Sequence, residues 1–168
     1  MARQRYSLLN SFIQKIASSR PGAWFFSRTL HHFDWVILKL SGGRTTMTTI
    51  LAGMPMMVLT TIGARSGLPR TLPLVCIRDA QDTNIFALIA SNWGQQHNPA
   101  WYFNLKSNPR ATCSMDGQAG KYIAHEASSE EYQRFWQIAC ETYIGYPLYK
   151  QRAANRKIPI MVLTPEKS

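Results

Sequence analysis

Two apolar runs on either side of a short glycine-rich basic turn constrain the fold of this chain more than any other feature. Residues 56–62 and 71–78 have the composition of β-strands, and two glycines and two arginines lie between them. Glycine permits the positive φ angles of a tight reversal, which predicts a hairpin. Such a turn exposes backbone N–H groups beside Arg65 and Arg70, an arrangement suited to phosphate. A hairpin turn with solvated arginines is the alternative.

The remaining pattern predicts an α+β fold. Apolar residues at helical spacing predict helices over 8–16 and 27–40, with a break at residues 20–22. Further strands are expected at 85–90, 111–115, 121–126 and 158–163, and helices at 98–105 and 128–143. Asn98 is a natural cap, Ser128 with Glu131 forms a capping box, and Pro73 predicts an edge strand or a bulge. Because strands and helices do not alternate as in βαβ folds, the order fits a small antiparallel barrel.

The net charge and the spacing of the cysteines limit the classes of partner and site that the chain can have. Nineteen Lys and Arg against nine Asp and Glu give a net charge of +10, which favours nucleic acid, a membrane surface or an acidic small molecule as partner. The basic residues are scattered without a nucleic-acid module, which argues against nucleic acid. Three distant cysteines and four histidines lack metal-ligand spacing, so free thiols, no metal site and a cytoplasmic location are expected.

The N-terminal segment, residues 1–40, is interpreted as an amphipathic helical extension of a barrel domain at 41–168. Its cations lie beside apolar residues, a pattern that favours contact with a membrane surface. The basic residues are Arg3, Arg5, Lys15 and Arg20, and the apolar ones Leu8, Phe12, Ile13, Trp24, Phe25 and Phe26. An amphipathic helix packed on its own barrel is the alternative.

Two further clusters carry candidate chemistry. Polar residues after the strand at 85–90 lead into the helix at 98–105, whose free N–H groups could bind an anion; an ordinary loop with Trp101 as a core anchor is the alternative. Gly145 and Pro147 are expected to interrupt a helix after residue 143, so Tyr143, Tyr146 and Tyr149 are expected to line a surface or cleft rather than a helical stripe. There a hydroxyl can orient or protonate a carbonyl; the alternative is that the rings simply cover the barrel mouth. No catalytic triad or carboxylate pair is present, so a bound cofactor would perform the chemistry.

Taken in order, these segments resemble the deazaflavin-dependent nitroreductase and quinone reductase family. The resemblance runs from about residue 41 to residue 165 and includes Leu51-Ala52-Gly53-Met54-Pro55, the segment 59–70, Pro73-Leu74, Ser91, the segment 98–105, Asn108-Pro109, the three tyrosines and Ile158-Pro159. It implies an antiparallel split β-barrel, similar to FMN-binding barrels, that binds reduced coenzyme F-420. It further implies hydride transfer to a quinone, a nitro-aromatic compound or an activated enone.

The resemblance also assigns residues. The phosphate and anionic tail would be held by Thr60, Thr61, Gly63, Arg65, Ser66, Gly67 and Arg70. Pro73, Leu74 and Val75 would lie along the deazaflavin, with Ser91, Asn92, Asn98 and Ala100 near the cofactor and Trp101 on its ring side. Tyr143, Tyr146 and Tyr149 would face the substrate.

Two positions depart from the family pattern, because Ala64 and Asn92 are neutral where the family commonly has cations. A lost charge-assisted hydrogen bond is worth roughly 1.5–3 kcal/mol. FMN or a differently tailed deazaflavin is therefore an alternative cofactor, and a non-catalytic barrel that binds an apolar ligand or a membrane surface is the alternative function. The sequence does not indicate an oligomeric state.

Overall fold

The structure is a computed structural model that describes most of the barrel and scattered positions before it. The described residues are 14–16, 18–19, 21–22, 25, 29, 34, 36–37, 39–41, 54–115, 117–153 and 156–166. Among the N-terminal positions, all but Ser19 and Ser41 are helical, in agreement with the predicted helices. The predicted break is shifted, because Pro21 and Gly22 are already helical and the Gly22 amide donates to the Ser19 Oγ. The apolar stripe at residues 8–13, Arg3, Arg5, Arg20 and residues 51–53 lie outside the described residues.

Seven strands form one antiparallel sheet in the order β2-β1-β5-β6-β7-β4-β3. The strands are β1 (Met56–Ile62), β2 (Pro69–Val75), β3 (Ile77–Arg78), β4 (Phe86–Ile89), β5 (Arg110–Met115), β6 (Gln118–Glu126) and β7 (Ile160–Pro165). The basic turn joins β1 and β2 as a hairpin, and β2 is an edge strand, so the interpretation of Pro73 is confirmed. The predicted strand over 71–78 is divided at Cys76, whose amide donates to the Pro55 carbonyl rather than to a ladder partner.

Apolar side chains fill both faces of the sheet, and β4 shows how. Phe86 and Leu88 belong to an inner cluster inside the barrel, whereas Ala87 and Ile89 belong to an outer cluster under the C-terminal helices. The inner cluster also contains Met57, Leu59, Trp101 and Leu105, and the outer cluster contains Ile160, Val162, Phe135 and Ala139. Two covered faces explain why this strand is a continuous apolar run rather than an alternating one.

The helices with described bounds are α1 (Ala100–Ser107), α2 (Ser129–Thr142) and α3 (Gly145–Arg152), with a 3-10 turn at Asn92–Gly94. The capping box that opens α2 is confirmed, because Glu131 N donates to Ser128 Oγ and Ser128 N donates to the Glu131 carboxylate. The prediction that Gly145 and Pro147 interrupt a helix was wrong. Pro147 is the third residue of α3, within the first turn, where an amide hydrogen has no intrahelical acceptor to lose. No helix among the described residues is long and apolar enough to cross a membrane.

Candidate functional site

The basic turn is closed by its own backbone. Gly63 N donates to Leu68 O at 2.9 Å, and Gly67 N donates to Gly63 O at 2.8 Å. Gly67 has a φ of 66°, a conformation that a side chain would strain, so glycine is required there. Residues 64–70 are all exposed, and the turn therefore presents Arg65 and Ser66 to solvent at the end of the β1–β2 hairpin.

The side chain of Asn104 in α1 connects this turn to the end of β1. Its Oδ1 accepts the Ala64 amide at 2.9 Å, and its Nδ2 donates to Thr61 Oγ1 at 3.0 Å. Asn104 is 8% exposed and Thr61 is 1% exposed, so the hydrogen bond between them is buried, whereas the bond to the exposed Ala64 is partly buried. One buried amide thus fixes the first residue of the turn and the end of β1 relative to α1.

The outer face of the β1–β2 hairpin extends from the basic turn along the edge of the sheet, and we call it the outer groove. We define it by Val58, Thr60, Thr71, Pro73 and Val75, which share one face because Val58 pairs with Pro73 and Thr60 with Thr71. The two threonine hydroxyls are 2.9 Å apart. From Pro69 to Val75 the strand spans about 20 Å. Small and β-branched residues leave this face flat, and Val75 packs against the outer apolar cluster at the far end.

The register divides the predicted cofactor residues between the two faces. Thr60, Pro73 and Val75 lie in the outer groove, whereas Thr61, Arg70 and Leu74 alternate to the inner face. The Thr61 hydroxyl accepts from Asn104, and Leu74 packs on the inner cluster, so neither side chain faces the groove. A strand presents only alternate residues to a ligand on one face, so contact of Thr61 and Leu74 with the cofactor stays a prediction.

Trp101 is buried in the barrel core, and Asn98 differs from the predicted helix cap. Trp101 is 6% exposed in the inner cluster, the position that the alternative of a core anchor predicts. Asn98 does not cap α1, since Pro99 occupies the N-cap position and the Asn98 Oδ1 accepts from Arg156 instead. Ala100, the first helical residue, is exposed.

The loop from Ser91 to Asn98 has a strained backbone. Asn92, Trp93 and Gly94 have φ angles of 46°, 59° and 79°, three consecutive left-handed residues. For the two residues with side chains this conformation costs about 1–2 kcal/mol each. Gly94 lies directly against α3, where an added Cβ would be 3.0 Å from the Cβ of Arg152. The Trp93 ring contacts Tyr149 edge-on, with 6.1 Å between ring centroids.

Arg156 holds both ends of this loop. Its Nε donates to Gln95 O, its Nη1 to Ala90 O and Asn98 Oδ1, and its Nη2 to Ser91 O and Gln95 O. The distances to the backbone oxygens are 2.8 to 3.1 Å. A guanidinium has five N–H donors, and all five are used here on neutral acceptors. Burial lowers the pKa of Arg156 from its ordinary value.

The three tyrosines form one aromatic cluster beneath α2 and α3. Tyr143 and Tyr149 are joined by a hydrogen bond of 2.8 Å between their hydroxyls, and the Tyr146 ring lies edge-on to both. Each ring is 5% exposed or less. The expectation that they line an exposed surface is therefore wrong. Because residues 145–152 form a helix, Tyr146 and Tyr149 project from one face of it into the outer apolar cluster.

Burial controls the ionisation of these phenols. It raises the pKa of Tyr146 and Tyr149 far above the ordinary value of about 10 for a phenol. Burial also raises the pKa of Tyr143, and the hydrogen bond with Tyr149 and the charge of Arg152 offset this only in part. The three hydroxyls are therefore protonated at neutral pH and can act as hydrogen-bond donors.

Arg152 places a cation beside this cluster. Its guanidinium carbon lies 5.7 Å from the Tyr149 ring centroid, and its Nη2 donates to the Ser18 carbonyl of the N-terminal segment. Its Nη1 is buried and has no hydrogen-bond partner within the described part of the chain. A buried donor without an acceptor is costly, by about 1–3 kcal/mol, so Nη1 is suited to an oxygen supplied by a ligand.

Comparison with known proteins identifies the family. The family model for F420H(2)-dependent quinone reductases matches residues 30–165. The chain belongs to the F420H(2)-dependent quinone reductase family. It is 32% identical over 114 residues to the F420H(2)-dependent quinone reductase Rv1261c of Mycobacterium tuberculosis, a match that covers 66% of this chain and 73% of that one.

Solved structures agree with this family assignment. An F420-H2 dependent reductase, FDR-A, is 32% identical with a TM-score of 0.58 over 65% of this chain and 93% of its own. A protein described as a domain-swapped dimer is 30% identical with a TM-score of 0.61, over 77% of this chain and 97% of its own. The family assignment and the split β-barrel are therefore confirmed, and this member of the quinone reductase family is an oxidoreductase.

The donors at the basic turn fit the anionic part of the F420 that this family uses. Among the described residues, ion pairs join Lys106 with Glu126, Arg110 with Glu166, His125 with Glu131 and Arg134 with Asp79. Neither Arg65 nor Arg70 has a carboxylate partner in that set. Two cations without counter-charges, next to a turn with exposed backbone, are the chemistry that a phosphate or a carboxylate tail needs.

Sequence reasoning missed three residues of this site. Asn104, Arg152 and Arg156 each bond to backbone atoms distant in sequence, at 40 residues or more. Asn104 had a weak signal as a polar residue between the apolar positions of α1. Arg152 and Arg156 had none, because arginines near a chain's basic C-terminal segment resemble solvated surface charges.

Proposed function

We propose that this protein transfers a hydride from reduced F420 to a quinone, with the cofactor held along the outer groove. One observation carries the assignment of the site. Within the described part of the chain, the groove connects two arginines that lack carboxylate partners to an aromatic region in which a buried N–H of Arg152 has no acceptor. An elongated anionic cofactor with a planar ring requires such a cationic end and such an apolar end.

The chain binds and orients the reactants. Bound reduced F420 supplies the hydride. Arg65, Ser66 and the backbone of the turn hold the anionic part, assisted by Arg70 from the inner face. Val58, Pro73 and Val75 provide a flat apolar surface along which a planar ring can lie. FMN, the alternative cofactor, would need the same cationic turn for its phosphate but lacks a longer anionic tail.

The chain also stabilises the negative charge that forms on the acceptor and supplies a proton to it. A quinone that receives a hydride at oxygen or carbon becomes an anion, and one proton completes the quinol. We assign stabilisation of that anion to Arg152 Nη1 and donation of the proton to the tyrosine pair. Preorganised donors at a developing anion typically contribute 10²–10³ in rate.

The test separates cofactor binding from acceptor chemistry. Titration with reduced F420 gives a Kd, and steady-state rates with a soluble naphthoquinone, a nitro-aromatic compound and an enone identify the acceptor class. We expect Arg152→Met to lower kcat with the quinone by about 10²-fold while the Kd for reduced F420 changes little. Arg110→Met, at a surface ion pair, is the matched control. Absence of F420 and FMN binding at micromolar concentration would refute the proposal.

A peripheral contact with the inner face of the membrane, within the cytoplasm, is a second proposal. Several exposed apolar side chains in the N-terminal segment support it, together with exposed Lys15 and Lys39. They are Ile16, Phe25, Val36 and Leu40, between 46% and 82% exposed. Apolar residues flanked by cations favour an anionic interface, where an apolar quinone would also partition.

Vesicle binding tests this second proposal. We expect co-sedimentation with anionic vesicles, less with neutral ones, and a loss of binding in the double variant Val36→Ser with Leu40→Ser. Leu148→Ser, which changes an exposed apolar residue of α3, is the control. Equal recovery of all variants with anionic vesicles would contradict a membrane role for this segment.

A further inference from the structure

A fully saturated arginine holds the most strained segment of the site. The guanidinium of Arg156 donates five hydrogen bonds to four oxygens of residues 90–98, and none of these acceptors is charged. The acceptors stand at the end of β4, within the loop and just before α1. One side chain therefore links the three structural elements that meet at the aromatic end of the outer groove.

The loop conformation needs this support. Three consecutive left-handed residues, Asn92 to Gly94, are disfavoured without compensating contacts. The backbone bonds of the loop are Ser91 N to Ile89 O at 2.8 Å, Gly94 N to Ser91 O at 2.9 Å and Gln95 N to Asn92 O at 3.0 Å. Two side chains add Asn92 Nδ2 to His97 O at 3.0 Å and Gln96 Nε2 to Arg152 O at 2.7 Å, so the five bonds from Arg156 are the largest single contribution. The reversal directs the Trp93 ring toward Tyr149 and brings Gly94 against α3. Release of the loop would therefore displace groups next to the tyrosine pair.

We propose that Arg156 is a positioning residue of the reductase site: by binding both ends of the loop Ser91 to Asn98, it fixes Ser91, Asn92 and Trp93 for the cofactor and the acceptor. This inference rests on the proposed function. Arg156 acts through backbone oxygens and is not assigned a contact with either reactant. Lysine cannot replace it, because a lysine has three donors on one atom whereas the fork of arginine reaches four separated oxygens.

The variants Arg156→Lys and Arg156→Gln test the proposal against Arg134→Gln. Arg134 is a matched control because it also holds a turn, bonding the Asp79 carboxylate and the Gln81 side chain between β3 and β4. Three quantities are compared: the melting temperature, amide hydrogen exchange at Gly94 and Gln95, and the Kd for reduced F420 with the KM for a naphthoquinone.

We expect all three variants to melt earlier than the parent protein. Only the Arg156 variants should show faster exchange at Gly94 and Gln95, by at least tenfold, and a Kd or KM that is about ten- to hundredfold weaker. A further variant, Arg156→Ala, tests chemical rescue. Added guanidinium ion at low concentration should partly restore its binding of reduced F420, whereas sodium ion at equal ionic strength should not.

Two results would overturn the inference. One is unchanged exchange at Gly94 and Gln95 in Arg156→Lys, which would show that the loop does not depend on the guanidinium. The other is an equal loss of F420 affinity in Arg134→Gln at matched stability, which would reduce Arg156 to a general stabilising role. If the parent protein binds no F420, the proposed function fails, but the exchange measurement still tests the effect of Arg156 on the loop.

Discussion

Replacement of Asn104 by alanine should uncouple the basic turn from the barrel. The substitution removes the acceptor of the Ala64 amide and the donor to Thr61, one partly buried and one buried hydrogen bond. Helix α1 itself should persist, because alanine favours helix and Trp101 and Leu105 remain buried in the inner cluster. The expected result is an intact barrel with a turn that is no longer held in one conformation.

The magnitude follows from those two contacts. A net contribution of about 1 kcal/mol for each hydrogen bond gives a loss of about 2 kcal/mol in the free energy of unfolding. For a chain of this length that lowers the melting temperature by about 4–8 °C. If binding must re-form the turn, the affinity for reduced F420 falls by at most about 30-fold, since 1.4 kcal/mol corresponds to a tenfold change.

Calorimetry and F420 titration measure the two effects, with Thr61→Val as the control. Valine matches threonine in shape and removes one of the two hydrogen bonds while leaving the Ala64 amide with its acceptor. Thr61→Val should therefore lower stability by about 1 kcal/mol and change the Kd less than threefold. An unchanged Kd in a destabilised Asn104→Ala protein would refute a preorganised turn. An equal Kd change in both variants would show that helix docking, rather than the Ala64 contact, controls binding.

Two further predictions concern charge. Arg65→Ala should weaken the binding of reduced F420 by about ten- to hundredfold and make the Kd less dependent on salt. Arg70→Ala should weaken binding less, because Arg70 lies on the inner face and already donates to the Ser66 hydroxyl. Titrations at low and high salt measure both effects, and a larger loss of affinity in Arg70→Ala than in Arg65→Ala would contradict this prediction. Burial raises the pKa of Tyr143, Tyr146 and Tyr149, so these phenols stay protonated in the folded protein at pH values where they ionise in the unfolded chain. The free energy of unfolding should therefore keep its full value below a pH of about 10 and fall above it, by up to ~4 kcal/mol per pH unit. Urea midpoints against pH measure this, and a flat profile above pH 10 would contradict it.

Local patterns predicted the elements well where each element is determined by its own residues. The strand β1 has the predicted bounds, the capping box of Ser128 and Glu131 forms as expected, and Pro73 marks an edge. These features depend on alternation, on contacts three residues apart and on a missing amide hydrogen. None of them requires knowledge of which elements meet in space.

The tyrosines show where local patterns no longer predict the structure. Gly145 and Pro147 were interpreted as breaking a helix, yet both lie in the first turn of α3, where a proline is tolerated. Once that turn is helical, Tyr146 and Tyr149 share a face and become buried. Spacing by three residues was therefore the correct signal, and only the position of the helix start was misjudged.

The predicted cofactor residues show a different limit, because a contiguous motif that was assigned to one ligand lies on a strand. Alternation sends Thr60 and Pro73 to the outer groove and Thr61 and Leu74 to the barrel interior. The inner residues still serve the site indirectly, since Thr61 is joined to Asn104 and through it to the turn amide. Arg156 supports the other end of the groove in the same manner, through backbone oxygens. The site is thus presented on one face of the sheet and held in shape by buried polar groups behind it, whose importance depends on partners that no local sequence pattern specifies.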